Sequence, residues 1–237
     1  MFCGRGAILN FSGAVLKFFR ACEAPGGLFI GHYAAAFVLI FLFPQVPVWV
    51  PLVGVSFPDL LWSLLVLAGK EEVVVDKDSP LQKAVVFKKY PYSHSLVLTN
   101  VISIAVGGAL AAVLNDLTVL PVFVMASASH WVLDTVVHLG DLPVLGFDGD
   151  RKVGLGLWRW GRAAFLVELL FFVSSAVLFV RGVPLLEVLA AGLVFHLVNA
   201  NSFLGFSKKN PFASPRAFAV AALFGFGALT AVYSLVL

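Results

Sequence analysis

Residues 117–138 read Leu-Thr-Val-Leu-Pro-Val-Phe-Val-Met-Ala-Ser-Ala-Ser-His-Trp-Val-Leu-Asp-Thr-Val-Val-His, and this stretch decides the fold class. A helix crosses a bilayer in roughly 20 mostly apolar residues, and this run is long enough. Its single carboxylate is Asp134 and its imidazoles are His130 and His138. The spacing His130, Asp134, His138 is i, i+4, i+8. At about 3.6 residues per turn the three stand on one helical face. One stretch therefore carries both a membrane span and a row of groups that are costly to place inside one.

The rest of the chain is of the same kind. Of its 237 residues, 60% are hydrophobic and 12% charged, with a mean hydropathy of +0.99. A soluble domain carries about 25% charge, because a water-facing surface needs it. Apolar stretches fall at about 28–43, 47–69, 93–114, 117–138, 158–180, 184–205 and 217–237. They predict an all-α, polytopic transmembrane bundle of about seven spans. Pro58 inside the second predicts a kink near Asp59. Two polar loops, Lys70–Tyr92 and Leu139–Leu157, interrupt the pattern, and neither has room for a soluble domain.

Charge orients the bundle. With seven spans, fifteen of the sixteen Lys and Arg fall on the side of the N-terminal segment, and Arg181 alone falls on the other. Positive segments stay inside, which predicts an inner N-terminus. The net charge of +3 does not imply nucleic acid, because the basic residues flank apolar segments instead of forming a patch. Arg5, Lys17 and Arg20 precede the first acid, Glu23, so the N-terminal stretch reads as a basic presequence or an interfacial helix, the latter favoured. Cys3 and Cys22 have no metal-binding spacing.

Ionisable residues within the predicted spans are His32, Asp59, His94, His130, Asp134, His138, Glu168 and His196. At about 1.5 Å per residue, His32, Asp59, His94, His130 and Asp134 fall in one layer within roughly 15 Å of the inner boundary. A metal site needs such a convergence of nitrogen and oxygen ligands. Ser93 and Ser95 flank His94 and would cap a helix or hold a water. Glu168 and His196 lie nearer mid-membrane, as a buried pair or a support for ligands.

Four segments occur in order: Gly31-His32-Tyr33, Phe57-Pro58-Asp59-Leu60-Leu61-Trp62, Tyr90-Pro91-Tyr92-Ser93-His94-Ser95-Leu96 and Ser129-His130-Trp131-Val132-Leu133-Asp134. His138, Asp141-Leu142-Pro143 and Gly154-Leu155-Gly156-Leu157-Trp158 follow. The succession resembles the YdjM-type membrane-bound metal-dependent hydrolases, and most closely a branch of uncharacterised membrane proteins. The resemblance spans residues 28–180 and implies a hydrolase-like core of five helices there. Residues 1–27 are then a basic extension and 181–237 two additional helices. It implies a divalent metal, zinc first, held among His32, Asp59, His94, His130 and Asp134. Asp59 or Asp134 would be the catalytic base, and His138, Ser93 and Ser95 would support the ligands. Leu61 and Trp62 stand where better-described members carry an acid and a histidine, which implies one metal instead of two, or lost catalysis.

The expected function is a membrane hydrolase using metal-activated water on a lipid-like substrate, in a plasma, inner or organellar inner membrane. Two alternatives belong to other classes. One is a non-catalytic subunit of a larger membrane complex. The other is a proton- or ion-coupled transporter using Asp59, Glu168 and His196.

Overall fold

A computed structural model describes residues 29–76, 85–207, 209–210, 212 and 214–237. The N-terminal extension with Cys3 and Cys22, and Lys77, Lys83 and Lys208, lie outside the described residues. The helices are α1 (Gly31–Leu42), α2 (Trp49–Leu67), α3 (Pro91–His94), α4 (Leu96–Leu114), α5 (Val119–Val137), α6 (Gly161–Phe179), α7 (Pro184–Val198), α8 (Ala200–Leu204) and α9 (Pro215–Val236). A 3₁₀ turn, Leu157–Trp160, leads into α6. A helix lies within each of the seven apolar stretches. Five are long and apolar enough to cross a membrane: Trp49–Leu67, Leu96–Leu114, Val119–Val137, Leu157–Phe179 and Pro215–Val236. Outward faces carry Val101, Ile104, Leu170, Val194 and Phe224, a surface suited to lipid and not to water.

The two remaining helices are shorter, for local reasons. α1 has 12 residues. At about 1.5 Å per residue it rises roughly 18 Å, less than a hydrocarbon core of about 30 Å. It begins inside the bundle, where Glu168 of α6 accepts the N–H groups of Phe29 and Gly31. Donors that a helix start leaves unpaired are thereby satisfied by a carboxylate. α7 stops at Asn199, and α8 continues to Gly205 in left-handed conformation, φ 67°.

α2 is the central helix, packed against α9, α5 and α1. α5 packs on α4, and α1 on α6. The α2–α5 crossing depends on Gly54. A Cβ there would stand 2.6 Å from the Ala126 Cβ and 3.2 Å from the Phe123 carbonyl oxygen, so only hydrogen lets the backbones meet. The helix runs through Pro58 without a break. A polar staple joins α1, α2 and α9. Thr230 Oγ1 is 2.8 Å from Tyr33 Oη and 3.0 Å from Ser56 Oγ.

The polar loops are more structured than their charge suggests. Valine-rich runs pair as β1 (Glu72–Val75) with β2 (Val85–Lys89), and the two-residue segments β3 (Leu142–Pro143) and β4 (Lys152–Val153) pair as well, both antiparallel. Next to β4, Gly154 passes against the end of α5, where a Cβ would fall 2.2 Å from the His138 carbonyl oxygen. Leu155 and Gly156 then donate their N–H groups to the carbonyls of Thr135 and His138, closing the last turn of α5.

Candidate metal centre

α1, α2, α3 and α5 each present residues to one point. Asp134 on α5 is 1% exposed and lies among four imidazoles. His130 Nε2 is 3.3 Å from its Oδ2, His138 Nε2 3.7 Å and His94 Nε2 3.9 Å, while His32 Nε2 is 3.4 Å from its Oδ1. Asp59 of α2 closes the open side. Its Oδ1 is 3.5 Å from His94 Nε2 and its Oδ2 3.9 Å from His130 Nε2. The five residues expected to converge are thus in one cluster. It contains two sets able to share a cation, His32/His130/Asp134 and Asp59/His94/His130.

The separations are informative. Hydrogen bonds between such groups run at about 2.7–3.2 Å. Ligand atoms on a tetrahedron with bonds of about 2.1 Å stand roughly 3.4 Å apart. The cluster has the second spacing. Asp59 Oδ2, Asp134 Oδ1, His130 Nε2 and both His32 nitrogens are buried with no hydrogen-bond partner among the described residues. Orphaned buried polar atoms are costly, and several facing one another suit a shared cation.

The outer ring nitrogens point to the same chemistry. His130 Nδ1 is 2.7 Å from the Val55 carbonyl oxygen. A carbonyl can only accept, so Nδ1 carries the proton and Nε2 offers its lone pair inward. His138 Nδ1 is 3.0 Å from Asp141 Oδ1, which fixes its ring the same way. For His94, Ser93 Oγ donates to Glu71 Oε2 at 2.6 Å and takes the His94 Nδ1–H at 2.8 Å. Three rings are therefore each held from behind with Nε2 turned to the centre, as metal-ligating histidines are.

Glu71 and Asp141 have no role assigned from the sequence, although Asp141 stands in the Asp141-Leu142-Pro143 segment, because both sit in polar loops where acids are common. Glu71 is 2% exposed and accepts the N–H groups of Tyr92 and Ser93 at 2.8 and 3.0 Å. Burial pushes its carboxyl up, against the pull of the Ser93 hydroxyl and the nearby His94. Burial also raises Asp141, but hydrogen bonds from His138 and Tyr90 outweigh it and leave the carboxyl below its usual range. Burial, then the Asp141 charge, raises the Tyr90 phenol, which donates to Asp141 Oδ2 at 3.0 Å. The i, i+3 spacing of His138 and Asp141 was the one signal that could have revealed this pair.

Other expectations resolve differently. Ser93 touches a ring of the cluster, whereas Ser95 caps α4 by accepting the Leu98 N–H at 3.1 Å. Glu168 and His196 do not pair. Glu168 holds the start of α1, and His196 Nε2 meets the Phe165 carbonyl oxygen at 3.1 Å, its ring stacked on Phe165. Each met a backbone group of α6 or α1 before it could meet the other. Compared with known proteins, the chain matches no family model, no curated protein and no solved structure.

Proposed function

We propose that the chain is a multi-pass membrane hydrolase of the metal-dependent, YdjM-like type, with one divalent cation, zinc, at the His/Asp cluster. Its seven helices would all carry the chain from one side of the membrane to the other, five as full-length helices and α1 and α7 as shorter ones completed by the residues that flank them. The segments after α2, α5 and α7, with Lys70, Lys88, Lys89, Arg151, Lys152, Lys209 and Arg216, would face the inner side together with the N-terminus. The observation that carries the proposal is the inward Nε2 of three histidines around Asp134 Oδ2, beside the orphaned Asp134 Oδ1 and Asp59 Oδ2.

His94, His130 and Asp134 form the core of the ligand set, with His32 behind Asp134 and His138 behind its Oδ2. A bound divalent cation would supply Lewis acidity, polarising water and the substrate's reacting oxygen. The protein's part is orientation and proton transfer. Asp59 suits the general base, because its side chain is 17% exposed while that of Asp134 is 1% exposed. Its Oδ2, aimed into the cluster, would take the proton of the attacking water. Pro58 precedes it within the same continuous helix.

The test is metal analysis of the purified full chain. One zinc per chain is expected, lost in His94→Ala and His130→Ala variants that keep the wild-type thermal transition of the metal-free protein. Absence of stoichiometric metal in every preparation, including protein refilled with zinc, manganese or iron, would sink the proposal.

A further inference from the structure

Three compartments lie in a row through the site. The middle one is a cleft of about 40 Å³ formed by Asp59, His94, Asp134 and His138 with Trp62 and Tyr90. On one side lies a cavity of about 230 Å³ between α7 and α9, lined almost wholly by apolar groups, among them Phe195, Val198, Ala221 and Gly225. The two share a wall made of Phe29, Phe218, Ala222 and Phe226. On the other side, across Tyr90, lies a polar hollow of about 620 Å³. It carries Lys88, Lys89 and Lys152 with Asp148 and Asp150. Asp150 is engaged by the loop itself, its Oδ2 accepting the Leu145 and Gly146 N–H groups.

We infer that the ligand of this site is an amphiphile with a single hydrocarbon chain and an anionic, phosphate-bearing head. The inference rests on the proposed hydrolase for the role of the middle cleft. The apolar cavity would hold the chain, the His/Asp cleft the linkage, and the lysine hollow the head. Three arguments carry it. The order of compartments, apolar then reactive then cationic, is the order of parts in such a molecule. The cavity is sized for one chain and not for a pair, being smaller than the roughly 300–1,000 Å³ of a drug-sized ligand site. Its lining includes Val198, which is 71% exposed on a helix with an apolar outer face, where membrane lipid is the available source of hydrocarbon. The lysines supply charge complementarity at the other end.

The experiment is photolabelling of the full chain, purified in detergent and stripped of metal. The probe is lysophosphatidic acid carrying a diazirine at the end of its acyl chain. Label is expected within 195–226. Val198→Trp adds bulk at an exposed lining position, and Ala221→Phe fills the cavity at a residue that does not line the middle cleft. Each should lower that labelling by about tenfold, the equivalent of one to two buried methylene groups. The double variant Lys88→Gln/Lys89→Gln should weaken labelling by this probe but not by the uncharged monoacylglycerol probe of equal chain length. Undiminished labelling in both blocking variants overturns the inference, as does label confined to outward residues such as Val101, Ile104 and Leu170. Equal response of the two probes to the lysine changes overturns it as well. Because no metal is present, failure here is distinct from failure of the hydrolase, which metal analysis decides.

Discussion

Asp134 and Glu168 are both acids buried in the bundle at 1% exposure, and their surroundings have nothing else in common. Asp134 faces imidazole nitrogens at 3.3–3.9 Å, with one oxygen left without any hydrogen bond. Glu168 faces peptide N–H groups at the start of α1. The first environment is made of imidazole nitrogens, three of them on rings whose proton lies on the far side. The second offers protons from groups that have no other use for them. An ionisable group inside a membrane span therefore marks a function only when its partners are themselves ligands. When its partners are orphan backbone donors, it is part of the scaffold.

Metal affinity is the common measure of this difference, and Asp134→Ala should change it most. Structural zinc sites bind with about 10–16 kcal/mol over their whole ligand set, so losing one ligand costs roughly 3 kcal/mol, or on the order of 100-fold in affinity. Competition with a fluorescent chelator on the purified chain measures it. An Asp134→Ala protein with wild-type zinc affinity would erase the contrast with Glu168.

Glu71→Ala should come next. Glu71 touches none of the proposed ligand atoms directly but anchors Ser93, which holds His94 Nδ1. Loss of such a support typically weakens a metal about 10–100-fold. Glu71→Gln separates the two roles. Its amide oxygen can still accept the Tyr92 and Ser93 N–H groups, but its N–H₂ then faces the Ser93 hydroxyl where Oε2 accepted. The loop should therefore hold while zinc affinity falls in the same titration. If Glu71→Gln binds zinc as the wild type does, Glu71 holds only its loop, and the Ser93 bridge does not tune His94.

These two residues also show how far the sequence goes. His32, Asp59, His94, His130 and Asp134 were legible because depth in an apolar run is a strong filter. Few groups survive there by accident, and helical spacing fixes their faces. Glu71 had no such filter. It stands beside Lys70 and Glu72 in a loop full of charge, and only the pairing of β1 with β2 brings it under Tyr92 and Ser93. That pairing joins residues separated along the chain, so no local period announces it. The same filter over-reached at Glu168 and His196. Depth says that a polar group needs a partner but not which one, and backbone partners leave no trace in side-chain patterns. The helices themselves were the easiest part, since lipid leaves few alternatives to an apolar helix. Their ends were harder, as with the break at Ser95 that divides α3 from α4.

Gly54→Val probes the scaffold that carries both acids' neighbours. A side chain there must displace Ala126 or the Phe123 backbone, forcing α2 away from α5. Overpacking of this kind costs about 1–3 kcal/mol, read as a lower thermal transition in detergent. The shift also draws the Val55 carbonyl from His130 Nδ1, so zinc affinity should fall as well, though less than in Glu71→Ala.

Glu168→Gln should have the smallest effect on metal and is the sharpest test of the contrast. The amide oxygen can still accept from Phe29 and Gly31, so α1 keeps its start and His32 its place. The amide N–H₂ then occupies the position of Oε2, which has no hydrogen-bond partner among the described residues. Replacing a charged acceptor by a neutral one costs about 1–2 kcal/mol, because hydrogen bonds to charged groups are the stronger ones. The thermal transition should therefore drop while zinc stoichiometry and affinity stay at wild type. Glu168→Leu, which leaves the N–H groups unpaired, should destabilise further and still bind metal once folded. If Glu168→Gln instead abolished metal binding without lowering stability, the acid would belong to the site. Capping and ligation would then be one function, and the line drawn between the two carboxylates would be wrong.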